Sequence, residues 1–337
     1  MRTSPARRLS VFHPVSMQVV LSLLMAATIP TTDALAEPAP EAARPKPAAA
    51  GTFDIDEDSA QRALERTLSQ TGALLLPSGT LEFTPGFQFA RIEQTSLVLL
   101  SVISPSTGQP ITTFAESRIR RNEFTARADL RYGLPFNAQA EFSLPYTRST
   151  AQESNTFGAG LSSSANRLGD ITLGIAKTLA REHDAAPDVI GRLSWNTGSG
   201  RNLAAPLSGG AGYHQLQGEI LAVKRQDPLA FVASASYSHV FEKDGVRPAG
   251  AAVLSVSALL AASPATSLQL GFAQVVRGKQ ELQGVRQDGT NQTYGVMSFG
   301  VSSVLSRDVT VVTQFGIGLG SDAPKYTIGI AFPIVLR

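Results

Sequence analysis

Four histidines and no cysteine leave this chain few routes to metal or covalent chemistry. Without thiols, zinc–thiolate sites, disulfides and cysteine nucleophiles are excluded. The histidines are His13, His183, His214 and His239, and none stands in an HxH or HExxH arrangement. A metal needs several ligands that short spacing brings to one face, so no metal site is expected. Ser236, Ser238 and His239 come nearest to a nucleophile and its base. Side chains alternate faces along a strand, which turns His239 away from both serines. Residues 198–212 are glycine-rich but lack the lysine and the strand–helix setting of a phosphate-binding loop. The chain does not read as an enzyme, it offers no catalytic residues, and it requires no cofactor.

Charge with a pattern is a different matter. Arg127, Asp129 and Arg131 alternate with apolar residues, and Glu141 and Arg192 recur in similar settings. Phe124, Ala126, Ala128, Leu130, Tyr132 and Leu134 share one face of a period-2 stretch, while Thr125, Arg127, Asp129 and Arg131 share the other. After a turn at Pro135-Phe136-Asn137, Ala138, Ala140, Phe142, Leu144 and Tyr146 form an apolar face, and Gln139, Glu141 and Ser143 a polar one. Strict alternation marks strands with unlike faces. A soluble sandwich places its core on the apolar face, whereas a transmembrane barrel places lipid there and water on the other. In a barrel the five charges line a wet lumen. There they set ion selectivity, bind a plug, or pair among themselves as a solvated wall.

The elements that position these residues follow from composition and spacing. A length of 337 residues fits two ordinary domains or one large β-domain. A charged fraction of 17% favours the second, because helix-rich cytosolic enzymes usually carry more. A mean hydropathy of +0.03 is too low for a helical membrane protein and suits a wall in which every second residue meets lipid. The formal net charge of +2 gives no nucleic-acid footprint, so no nucleic-acid partner is expected. Past residue 36 the best apolar run, Leu97–Ile103, is far too short for a spanning helix. Residence in a membrane therefore requires a closed barrel, since lipid tolerates no open sheet edge.

The first residues read as an export signal. Arg2, Arg7 and Arg8 precede the apolar run Met17–Ile29, and Ala34-Leu35-Ala36 is an A-x-A cleavage site with Glu37 as the first mature residue. The apolar core is shorter than the roughly 20 residues a membrane anchor needs. A signal peptide over 1–36, used on the general secretory route, is followed by a Pro/Ala-rich linker over 37–57 that cannot bury enough apolar surface to fold. The spacing then predicts a helix over 58–72, with Asp58 as N-cap and Gly72 as stop. Ala60, Ala63, Leu64, Thr67 and Leu68 form its narrow apolar stripe, and Gln61, Arg62, Glu65, Arg66 and Ser69 cover the rest. So weak a stripe needs a partner surface. The helix either docks on a barrel rim or plugs the barrel mouth, the plug resting on Arg62, Leu64, Glu65, Arg66 and Leu68.

Residues 80–337 read as the barrel, about twelve strands starting at Leu81–Gln94. Short links at 135–137, 182–187, 226–228, 263–266 and 306–308 alternate with long ones at 147–166, 198–212, 242–250 and 278–291, and 96–113 would be the first long loop, unless its apolar run 97–103 folds inward or pairs as part of a strand. Outer-membrane barrels alternate in this way, with short periplasmic turns and long outer loops. Tyr146, Trp195 and Phe241 fall at outer strand ends, and Tyr132 and Phe332 at periplasmic ends, as interface girdles require.

Three segments carry a resemblance: ALERTLSQTGALLLPSGTLEFTPGFQF (63–89), RRNEFTARADLRYGLPFNAQAEFSLPY (120–146) and GLGSDAPKYTIGIAFPIVL (318–336). In that order the chain resembles bacterial outer-membrane transporters of the meta-pathway phenol-degradation type, a family that also includes the Fap-type pore exporting functional amyloid. The resemblance implies a twelve-stranded barrel in a Gram-negative outer membrane, with the segment from Asp58 to Gln70 as an N-terminal helix that occludes the pore. It implies lipid and the barrel-assembly machinery as partners. The cargo would be a small aromatic or apolar solute, or an unfolded secreted polypeptide. The chain departs from the usual terminal aromatic, although Phe332, Ile334 and Leu336 alternate correctly. Two alternatives stay open: a structural or adhesive barrel without transport, and assembly into homo-oligomers.

Overall fold

A computed structural model describes residues 57–104, 106–155, 160–183, 185–200 and 212–336, without the side chains of 57–60, 62–63, 70 and 96–100. The export signal of 1–36 and residues 37–56 of the linker lie outside the described residues. One helix, α1 (Glu57–Gln70), precedes the sheet. It starts one residue before the expected Asp58 cap and ends where glycine permits a stop. Gly72 has φ +74°, and the amides of Ala73 and Leu74 return to the Leu68 carbonyl at 2.8 and 3.0 Å.

The strands in chain order are β1 (Leu81–Ile103), β2 (Pro110–Leu134), β3 (Ala138–Asn155), β4 (Gly160–Leu168), β5 (Thr172–Ala180), β6 (Asp188–Thr197), β7 (His214–Gln226), β8 (Leu229–Val240) and β9 (Val246–Arg247). There follow β10 (Ala251–Ser263), β11 (Thr266–Arg277), β12 (Glu281–Leu282), β13 (Val285–Arg286), β14 (Gln292–Val304), β15 (Thr310–Leu319), β16 (Tyr326–Ala331) and β17 (Ile334–Leu336). Neighbours pair antiparallel in the order β1, β2, β3, β5, β6, β7, β8, β10, β11, β14, β15, β16, and β16 closes on β1 through Phe89↔Ile328. Among the described residues this is a closed wall of twelve strand positions. β4 extends the fourth position above β5, and β17 extends the last beyond β16. A small sheet of β9, β12 and β13 stands on the outer loops, where Glu281 binds both Arg247 and Arg286.

Two stretches expected as loops are largely strand. β1 and β2 pair without a break from Leu81↔Tyr132 to Ile103↔Pro110, so the supposed loop 96–113 shrinks to a turn at 104–109. The run Leu97–Ile103 belongs to this hairpin. Within 147–166, β3 continues to Asn155 and β4 begins at Gly160. β1 and β2 have 23 and 25 residues, more than twice the roughly 9–11 needed to cross a bilayer. The hairpin therefore projects into solvent, where polar residues pair as well as apolar ones. Polarity alone was a poor sign of a loop.

The two faces of the wall are unlike. Ile175, Leu193, Ile220, Leu254, Val256 and Leu270 are each at least half exposed, and all lie on the same parity as their exposed strand neighbours. A water-soluble protein rarely exposes so continuous an apolar surface. Tyr132, Tyr146, Trp195 and Phe241 are exposed on the same outer face or at its margin.

Candidate functional site

Residues of the opposite parity face the interior, and α1 packs on them. Leu64 and Leu68 of α1, each 1% exposed, form one cluster with Val223, Ala230, Leu259 and Ala261. Burying each leucine contributes roughly 1.5–3 kcal/mol. Thr67 Oγ1 donates to Ser267 Oγ at 2.8 Å and lies 3.3 Å from Ser302 Oγ. These partners come from β7, β8, β10, β11 and β14, at the ends joined by short turns. Glu65 accepts from Gln61 at 3.0 Å, Arg66 is half-buried, and the side chain of Arg62 lies outside the described residues.

Ala73 and Leu74 stay on this cluster, while polar backbone groups around them are held from the other wall. Arg131 Nη1 donates to the Ser69 carbonyl at 2.6 Å, and Arg192 Nη2 donates to the Gly72 carbonyl at 3.0 Å. The amide of Leu76 donates to Oε1 of the fully buried Gln139 at 2.9 Å. Leu75 packs on Ala176, Ile190 and Leu221. At Gly133 an added Cβ would stand 2.0 Å from the Pro77 carbonyl oxygen, so glycine is what lets the segment lie against β2.

A charge lattice supports these contacts. Arg131 holds the buried Glu82 through Nε at 3.0 Å and again through Nη2. Arg192 sits between Glu219 at 2.7 Å and Glu141 at 3.1 Å, and Gln139 Nε2 donates to Glu141 at 2.8 Å. Pairing and hydrogen bonding in this way offset the desolvation cost that each buried charge would carry alone. Above them lies a polar space of about 380 Å³ lined by Thr71, Gly72, Arg127, Asp129, Ser143 and Ser194, among others. The far wall is neutral: Ser234, Ser236, Ser255, Ser257, Ser298 and Gly300 take the inward positions. At the periplasmic rim, burial alone would raise the Glu182 carboxyl. Hydrogen bonds from Lys224 and Arg225 outweigh it and hold the group below the usual carboxylate range.

No known family model matches the chain. Among solved structures it is similar to an outer-membrane channel from Pseudomonas putida F1, with a TM-score of 0.58 and 14% identity over 78% of this chain and 97% of that one. The fold is that of an outer-membrane channel. More remote are the translocator domain of the autotransporter NalP from Neisseria meningitidis (TM-score 0.46, 14% identity, 85% of this chain and 99% of that one). The P. putida toluene transporter TodX is similarly distant (TM-score 0.44, 9% identity, 81% and 92%). Closed antiparallel barrels with an even strand number and an apolar belt are the outer-membrane class of spanning protein, and this chain is an outer-membrane β-barrel.

Within this channel fold Arg131, Glu141 and Arg192 come together in one lattice that touches the N-terminal segment. Arg127 and Asp129 line the space above it. Sequence reasoning missed Glu82 and Glu219, the carboxylates that complete the lattice. Both sit at polar positions of their strands, so the parity rule that singled out Arg127 and Arg131 would have found them. The histidines stand apart: His214 stacks on Trp195 at 6.0 Å, and His239 meets Phe241 edge-on at 5.1 Å. Among the described residues no three His, Asp or Glu side chains converge as metal ligands.

Proposed function

We propose that the chain is a transport pore for small solutes, closed near its periplasmic end by its own N-terminal segment. The observation that carries this reading is the seat of α1. Its apolar stripe packs on inward-facing Val223, Ala230, Leu259 and Ala261, and the residues after it are held by Arg131 and Arg192 on the opposite wall. A helix is about 10–12 Å across, enough to obstruct a modest barrel. On this reading residues 1–36 are removed on export and 37–56 tether the helix. Arg127 and Asp129 face the solute above the closure. The small neutral residues of the far wall leave it room to pass. Small apolar or aromatic cargo is what the sequence resemblance to phenol-degradation transporters implies. An unfolded polypeptide would need the whole segment displaced.

Deleting residues 37–70 behind the signal peptide tests the proposal in a planar bilayer. The expected result is a folded barrel with larger and steadier single-channel conductance, in cells more permeable to bulky antibiotics. Conductance equal to that of the full chain would place the helix outside the pathway. No conductance from either protein would favour a structural or adhesive barrel.

A further inference from the structure

Lys177 is exposed on the outer face of β5, between Ile175 and Leu179. A cation on the lipid face is costly at the bilayer midplane and tolerated at the interface. The register puts Lys177 at the interface. It pairs with Ala138, the first residue of β3, and the amide of Thr178 donates to the Asn137 carbonyl at 3.0 Å. The same turn carries Phe136, which is 85% exposed, and Arg181 Nη2 donates to Asn137 Oδ1 at 2.7 Å. Two cations and an aromatic ring thus mark the periplasmic boundary at one point of the rim. Among the described residues no ion pair joins Lys177 to a carboxylate.

From this point a groove of about 700 Å³ crosses the lipid-facing wall over β5, β6, β7 and β8. Its floor is Gly191 and Gly218, set among Ile175, Leu193, Ile220 and Tyr237. A Cβ added at Gly218 would meet nothing within 4 Å, so the floor is open to a ligand there, while the Leu179 side chain lies over Gly191 and walls the groove on the side of Lys177. An apolar channel with a cationic foot at the headgroup level has the polarity of an amphiphile with a negative head.

We infer that this face holds an anionic phospholipid of the periplasmic leaflet, its phosphate on Lys177 beside Arg181 and one acyl chain along the glycine floor. Charge complementarity favours a lipid over a second copy of the chain, because a two-fold contact here would set cationic rims side by side. The inference rests on the barrel spanning the membrane and not on the pore reading, so the two fail independently.

The full chain, purified in detergent, is mixed with phosphatidylglycerol or phosphatidylcholine and weighed by native mass spectrometry. Wild type is expected to retain phosphatidylglycerol about five-fold more, the order of effect of one surface cation on an anionic lipid. Lys177→Gln is expected to remove the preference, and Gly218→Phe to lower retention of both lipids. Heat-modifiable gel migration identifies the variants that fold. Equal retention of the two lipids by wild type overturns the inference, as does a preference that survives Lys177→Gln. So does a Gly218→Phe protein that changes oligomeric mass while its lipid retention stays the same, which would assign the groove to a second copy.

Discussion

Arg192 serves three acceptors with one guanidinium: Glu141, Glu219 and the Gly72 carbonyl. Two of these belong to the wall and one to the segment that crosses it, and substitution separates them. Arg192→Met leaves two carboxylates facing each other without a counter-charge. Loss of one partner from a buried pair costs about 3–5 kcal/mol, and a wet lumen brings the figure toward the lower end. Adding Glu141→Gln and Glu219→Gln removes the repulsion and should recover most of the stability. The Gly72 carbonyl stays unheld in both proteins. Urea unfolding in micelles should therefore rank wild type and the triple variant above Arg192→Met. Bilayer recordings should show more frequent openings in both variants. A triple variant that regains wild-type gating as well as stability would confine the guanidinium to a wall role.

At the scale of the strand, facing decides what a substitution does. Ile328 and Ile330 are exposed on the outer face of β16, and Thr327 and Gly329 are half-buried on the inner one. Arginine on the lipid face costs about 2–4 kcal/mol near the midplane, while an inward arginine meets water. Ile330→Arg should lose most of its heat-modifiable, folded band on refolding, and Thr327→Arg should keep it. Equal loss would mean that the strand faces the other way. This parity was legible in the sequence because lipid and water demand opposite side chains at alternate positions of each wall strand. Strand length was not legible. Beyond the bilayer that demand ends, and Thr147 to Asn155 pair in β3 despite reading as loop. The helix was legible from its stripe, but its seat was not. Val223, Ala230, Leu259 and Ala261 lie on three strands, and only barrel closure brings them under Leu64 and Leu68. The carbonyls of Ser69 and Gly72 left no side-chain signal for Arg131 and Arg192 to match.

The whole molecule divides its lumen between a charged wall, β1 to β7, and a neutral wall of small residues, β8, β10, β11 and β14 to β16. The N-terminal segment touches both: α1, Ala73 and Leu74 pack on Val223, Ala230, Leu259 and Ala261, while the Ser69 and Gly72 carbonyls and the Leu76 amide are held by Arg131, Arg192 and Gln139 of the charged wall. If the segment is the closure, as proposed, opening requires α1 to leave its seat, so fixing α1 should suppress opening. Thr67 and Ser267 offer the place, since their hydroxyl oxygens are 2.8 Å apart and lie on α1 and β11. A disulfide holds its sulfurs about 2.05 Å apart, so side chains whose oxygens already touch are a place to form one. The natural chain has no cysteine, so Thr67→Cys with Ser267→Cys creates a single pair without competitors. Oxidised, this protein should conduct less than wild type and lose its large openings. Reduction in the same bilayer should restore them, which separates the lock from any damage done by the two substitutions. If the oxidised protein, with the bond confirmed by its mass, opens as readily as the reduced one, then α1 stays seated while the pore conducts. The pathway would then run past the helix along the serines of the neutral wall, and the gate would lie elsewhere.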